Sequence, residues 1–160
     1  MNRSVVVTRH FYVGALVLIV TCYAVLTYRR NGVWQDEWTL WNDVVKKSPA
    51  KARPYIGRGS GYMKRKNTEA AFADFNKALA MHPGHTNGYF TRGKAYQEIG
   101  NYESALRDLR TFIFMAPKQV KGYLAAGEVL FHMGRYEEAM ACAEEALRLR
   151  PDSAQAIASS

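Results

Sequence analysis

A unit of 34 residues recurs along this chain, and that period constrains the fold more than any other feature. From Thr86 to Gln119 the unit reads TNGYFTRGKAYQEIGNYESALRDLRTFIFMAPKQ, with landmarks at Tyr89, Gly93, Tyr96, Gly100, Tyr102, Ala105 and Pro117. One period upstream the same places hold Tyr55, Gly59, Tyr62, Ala71 and Pro83. One period downstream they hold Tyr123, Gly127, Gly134, Tyr136, Ala139 and Pro151. Each unit contains two short helical patterns separated by a turn. A single helix pair cannot bury its apolar face alone, so the pairs must stack into an array.

A small residue midway along the first helix, an aromatic three places later and a closing proline resemble the tetratricopeptide repeat family. The resemblance covers Ala52 to Pro151 and extends more weakly to Pro49. It implies an all-α fold, a short α-solenoid with full repeats at 52–85, 86–119 and 120–153. It also implies a scaffold that binds a protein or peptide partner, with the partner's identity open.

Composition narrows the remaining classes. With 48% apolar and 22% charged residues, the chain is globular rather than disordered. The net charge of +8 is unevenly placed: residues 1–66 hold 12 Lys or Arg against 3 acids, and residues 67–160 hold 10 against 11. No nucleic-acid motif accompanies the basic half, so a nucleic-acid partner is not expected. Cys22 and Cys142 are too few and too far apart for a disulfide framework or a thiolate metal site.

Residues 11–28, FYVGALVLIVTCYAVLTY, carry no formal charge and lie between Arg9 and the pair Arg29 and Arg30. At about 1.5 Å per residue they would span roughly 27 Å, which predicts a single transmembrane helix behind a basic flank at 1–10. Phe11, Tyr12 and Tyr28 occupy the interfacial places. A cleaved signal peptide is the competing reading, with residues 19–22 a poor cleavage box. The flanking cations barely choose an orientation.

Residues 31–49 read as a Trp-rich half repeat. Trp34, Trp38, Trp41 and Val45 recur at helical spacing, and Trp41 falls where Phe75 and Leu109 fall later. The tryptophans are expected to pack on the first full repeat, or alternatively to form an interfacial belt. Residues 44–66 then carry cations and no acid. Lys46, Lys47, Lys51, Lys64, Arg65 and Lys66 are either a solvated face or a patch that lies on anionic lipid beside the anchor.

Inside the repeats, Arg58 and Arg92 precede the midway glycine, and Asp74 and Asp108 follow each by 16 residues. In the third repeat both members are replaced, by Ala126 and Cys142. Joint loss predicts a structural Arg–Asp ion pair in each of the first two repeats. Gly59, Gly93 and Gly127 are expected to admit close helix approach opposite Ala71, Ala105 and Ala139. Gly100, Gly134 and, in the first repeat, Lys66-Asn67 are expected to form the turns, Asn67 being the one suited to the left-handed conformation, with Thr68 and Asn101 as helix caps. Residues 152–160, DSAQAIASS, are read as a terminal capping helix or a truncated fourth repeat.

The family architecture lines a concave groove with first-helix residues, so the resemblance assigns it to Arg53, Ile56, Ser60, Met63, Asn87, Phe90, Lys94, Gln97, Lys121, Leu124, Glu128 and Phe131. Ile56, Phe90 and Leu124 form an expected apolar row bordered by cations, suited to a peptide carrying acidic residues. Some of these side chains could instead finish the core. Lys121 matches one position of the family's carboxylate clamp, but Ile56, Ser60, Thr91 and Ala125 stand at the others, which argues against chaperone-tail recognition. No catalytic constellation, cofactor motif or metal set is present; His82 and His85 lack a third ligand.

The junction from Trp34 to Pro49 resembles the C-terminal end of multi-spanning membrane proteins with these repeats, some similar to protein O-mannosyltransferases. That resemblance implies repeats on the extracytoplasmic side and carries over no transferase activity. The expectation is a membrane-anchored, non-enzymatic adaptor or subunit of a membrane complex. The alternatives are a non-catalytic remnant of a membrane glycosyltransferase and a self-associating scaffold.

Overall fold

A computed structural model describes residue 16, residues 18–28 and residues 37–149. Seven helices follow one another over 37–149: α1 (Glu37–Lys47), α2 (Ala52–Lys64), α3 (Thr68–Met81), α4 (Thr86–Glu98), α5 (Tyr102–Met115), α6 (Val120–His132) and α7 (Tyr136–Arg148). The strongest packing is within the pairs α2 with α3, α4 with α5 and α6 with α7, and α1 packs on α2. Each first helix also touches the first helix of the next pair, which is how the stack advances.

Local chemistry sets the helix ends. The side chains of Asn67 and Asn101 accept the N–H groups of Ala70 and Ser104, each at 3.2 Å, and the Nδ1 of His85 accepts from Gly88 at 3.1 Å. Asn67, not Thr68, therefore caps α3; Thr68 is already inside the helix. Gly100 and Gly134 turn with φ of 77° and 73°. In the first repeat the left-handed residue is Lys66, with φ 57°, while Asn67 has φ −95°. The turn was expected at Lys66-Asn67, with Asn67 suited to the left-handed conformation; instead Asn67 caps α3 at negative φ, and Lys66, one period before Gly100, takes the left-handed place.

The core runs along the stack in two clusters. One gathers Tyr55, Ile56, Met63, Phe75 and Ala78, and the other Leu106, Leu109, Ala126, Val129 and Leu130. A methyl on Gly59 would come within 3.1 Å of the Ala71 carbonyl and 2.5 Å of Phe75, and one on Gly93 within 3.3 Å of the Ala105 carbonyl. These are the close approaches that the period implied. Trp38 and Trp41 both face α2, where Gly61 and Gly57 make room: added methyls would fall 2.8 Å from Trp38 and 2.3 Å from the Trp41 ring. Arg65 lies over Trp38 at 4.1 Å. The two described tryptophans thus pack on the first full repeat; Trp34 lies outside the described residues.

Among the described residues no helix is long and apolar enough to cross a membrane. The span expected at 11–28 includes residues 11–15 and 17, which lie outside them. Residues 18–28 are helical, and every one of them is exposed. The flank 1–10 and the capping helix expected at 152–160 also lie outside the described residues.

Candidate functional site

The Arg–Asp spacing of 16 residues bridges each helix pair. Nε and Nη2 of Arg58 donate to Asp74 at 2.7 and 2.8 Å, and those of Arg92 donate to Asp108 at the same two distances. The third guanidinium nitrogen reaches back to the preceding repeat: Arg58 Nη1 donates to Asn42 at 3.1 Å, and Arg92 Nη1 to Asn76 at 2.7 Å. Each arginine therefore ties its own pair and the pair before it. The hydrogen bond to Asp74 or Asp108 holds each guanidinium above its ordinary pKa, against the opposing effect of burial. The Asn42 and Asn76 partners were missed in the sequence, although they too stand one period apart.

Where this ladder stops, Ala126 and Cys142 of the third repeat follow Arg110 of the second. Arg110 Nη2 turns to Glu138 at 3.2 Å, and a small hollow of about 220 Å³ opens among Leu106, Ile113, Ala126, Leu130 and Cys142. Burial pushes the Cys142 thiol up, so it is not an activated nucleophile.

The first helices line a concave cleft of about 520 Å³. Ser60, Met63, Thr91, Lys94 and Gln97 come from α2 and α4, and the sequence reading missed Tyr102 and placed His132 only loosely. Those two rings stack at 5.5 Å with planes 7° apart. Lys94 Nζ donates to Gln97 at 2.7 Å and to Glu128 at 3.1 Å. Gln97 first and Lys94 second hold the Glu128 carboxyl below the usual carboxylate range.

The remaining groove candidates do not form one continuous surface. Ile56 is 8% exposed, because Gly88 has no side chain and lets α4 settle on it. Phe90 is half-buried, tilted on Phe112 at 5.0 Å, and Lys121 Nζ covers its ring at 4.7 Å while donating to Asn87 at 3.0 Å. Lys121 thus roofs the apolar row instead of bordering it. Leu124 and Phe131 are open, and with Tyr136 and Met140 they line a separate apolar hollow of about 440 Å³. Exposure rises along the row: α4 covers Ile56, Lys121 covers Phe90, and Leu124 is open. Arg53 is exposed at the start of α2.

The basic patch is exposed but less charged than the sequence count implied. Lys64 pairs with Glu37, and Lys47 pairs with Asp43 at 2.6 Å, both acids coming from α1. Lys46, Lys51 and Lys66 are exposed. Among the described residues no three His, Cys, Asp or Glu side chains converge as a metal set. His82 and His85 sit 5.9 Å apart, ring to ring, between the first and second repeats.

Residues 90–154 match the tetratricopeptide repeat family model. Among curated proteins, none matches the chain. Solved structures of the same fold include a crystal structure of MamA, 22% identical with a TM-score of 0.68 over 81% of this chain and 75% of that one. Another is the second repeat domain of Spaghetti (RPAP3) bound to the HSP90 peptide SRMEEVD, 25% identical with a TM-score of 0.59 over 62% of this chain and 93% of that one. The Arabidopsis OM64 repeat domain is 26% identical, with a TM-score of 0.58 over 62% and 83%. The fold is therefore that of a tetratricopeptide α-solenoid, an architecture of protein-interaction scaffolds. The junction that resembled O-mannosyltransferases lies outside the matched span and finds no support in these likenesses.

Proposed function

We propose that this chain is a non-catalytic, membrane-anchored scaffold whose concave cleft holds an extended or helical segment of a partner protein, in the setting of a membrane complex. The observation that carries the reading is the cleft itself. Its walls combine the surfaces of Met63, Tyr102 and His132 with the polar groups of Lys94 and Gln97, and Lys94 reaches from the wall to Glu128 beside it. A partner carboxylate that displaces Glu128 would take the Lys94 ammonium, and an apolar neighbour would lie on the Tyr102–His132 stack. The peptide-bound Spaghetti domain supports a peptide as the class of ligand. The departures at Ile56, Ser60, Thr91 and Ala125 set a different specificity from a chaperone tail.

The exposed helical stretch 18–28 supports the anchor. A helix whose described residues 18–28 are uncharged and all exposed is covered most cheaply by lipid. Val20→Arg is expected to move the protein from the alkaline-resistant membrane fraction to the supernatant. Lys46, Lys51 and Lys66 add attraction to anionic head groups. The side of the membrane follows from the junction resemblance alone, extracytoplasmic. If a protein shortened to 31–160 bound neutral and anionic vesicles equally, the lipid role of the patch would be removed.

The cleft is tested by selecting displayed peptides on the full chain in detergent. Enriched peptides are expected to combine an acidic and an apolar residue and to lose about tenfold affinity for Lys94→Glu. Equal binding to Lys94→Glu and to the unaltered chain would refute the cleft as the site.

A further inference from the structure

The turns that join the repeats line a second, polar hollow that the cleft does not use. Residues 82–85 turn between the first and second repeats and residues 116–119 between the second and third. Each turn is closed by a 3.0 Å hydrogen bond, from the His85 N–H to the His82 carbonyl and from the Gln119 N–H to the Ala116 carbonyl. Both turns line a hollow of about 500 Å³. Its polar lining is His82, His85, Thr86, Asn87, Gln119 and Lys121, and among the described residues no Asp or Glu lines it. Composition does not explain that, because acids outnumber cations 11 to 10 over residues 67–160.

The groups around the hollow are set as donors. The Nδ1 of His85 accepts the Gly88 N–H at 3.1 Å, so a neutral His85 carries its proton on Nε2. Lys121 Nζ donates to Asn87 Oδ1 at 3.0 Å, which leaves the amide nitrogen as the free end of Asn87. The same ammonium stands 4.7 and 5.1 Å from the ring centres of Phe90 and Phe112, an apolar floor over which its charge is screened less than in open water. Gly84 leaves room for the His82 ring, whose Cε1 would lie 3.2 Å from an added methyl.

We propose that this hollow binds a phosphate monoester. Separate donors from both turns and from the starts of α4 and α6 border one space, which suits the three oxygens of a phosphoryl group. No arginine is among the described residues that line it, so the planar fork that favours a carboxylate is not supplied there. The proposal goes beyond the cleft reading: no residue lining the cleft lines this hollow, and each can fail alone.

The test titrates the full chain in detergent at about pH 7.5, where a phosphate monoester is mostly a dianion. The probes are phosphoserine capped at both ends and inorganic phosphate, with acetate as the carboxylate control, and the readout is NMR of the histidine rings. The phosphates are expected to shift His82 and His85 and to leave His132, which lines the cleft, unmoved. No shift at His82 and His85 overturns the proposal. Acetate should bind about tenfold more weakly, and equal binding overturns phosphate as the class. Lys121→Gln should weaken capped phosphoserine about tenfold. Gln119→Glu, which places a carboxylate in the hollow, should abolish its binding; Gln119 makes no side-chain capping bond, so α6 loses no cap. Unchanged affinity in either variant overturns the assignment. Tighter binding of capped phosphoserine than of inorganic phosphate would put the group on a partner's side chain, and equal binding would make free phosphate the ligand; both support the site.

Discussion

The Arg92–Asp108 pair gives the sharpest quantitative test of how the stack is held. The Asp108 side chain is 6% exposed and the Arg92 side chain 19%, and two parallel bonds join them. Removing one partner leaves the other as a buried charge, which costs about 3–5 kcal/mol; the partly wetted guanidinium puts this site at the low end. Arg92→Leu is therefore expected to cost about 3 kcal/mol, chiefly by stranding Asp108, and Asp108→Ala a similar amount. The third bond, to the exposed Asn76, adds little. With both changes no charge is stranded, and the double variant should cost about 4 kcal/mol, leaving a coupling of about 2 kcal/mol. Denaturant unfolding of the four proteins, followed by circular dichroism, measures the cycle. Additive losses, with coupling below about 0.5 kcal/mol, would refute the reasoning. The third repeat shows the same logic in nature's own substitution: Ala126 and Cys142 replace both members, and neither charge is left behind.

Lys66 holds the left-handed place that Gly100 and Gly134 hold elsewhere, so Lys66→Gly should stabilise the chain by about 1 kcal/mol. A lower denaturation midpoint would contradict it. Gly57→Ala should drive a methyl into the Trp41 ring, cost about 1–3 kcal/mol and shift tryptophan emission to the red as α1 loosens; unchanged emission would mean that α1 is not seated there. Glu128 should titrate below the usual carboxylate range, and Lys94→Ala should raise its midpoint, read by carbon NMR. Because the folded value is the depressed one, the network's stabilising contribution is present above the unfolded carboxylate pKa and is lost as pH falls through the folded value. At an exposed site that contribution is small. No movement on Lys94→Ala would assign the depression to Gln97 alone.

The 34-residue period reached far into the structure because stacking translates every contact by one repeat. Gly93 against the Ala105 carbonyl, the prolines between pairs and the glycine turns at 100 and 134 follow from it, since each depends on backbone shape at a fixed place. The concave cleft was only partly legible. Ser60, Met63, Lys94 and Gln97 lie in it, but Tyr102 enters from a second helix, and a reading that assigns the groove to first helices passes over it. Ile56 and Leu124 have equivalent places in the sequence and opposite burial, 8% and 57%, and the burial of Ile56 comes from α4, which settles on it at Gly88.

Charge shows the same division. Counting along 44–66 finds cations and no acid, yet Glu37 and Asp43 reach Lys64 and Lys47 across the α1–α2 contact. The sequence alone determined the helix pairs over 52–148 and the Arg–Asp spacing, because periodicity is a property of order along the chain. Only the tertiary structure decided which members of each periodic row are roofed and which are open, and which charges are neutralised. Those depend on what packs across from a residue, and neighbours in space are not neighbours in the chain.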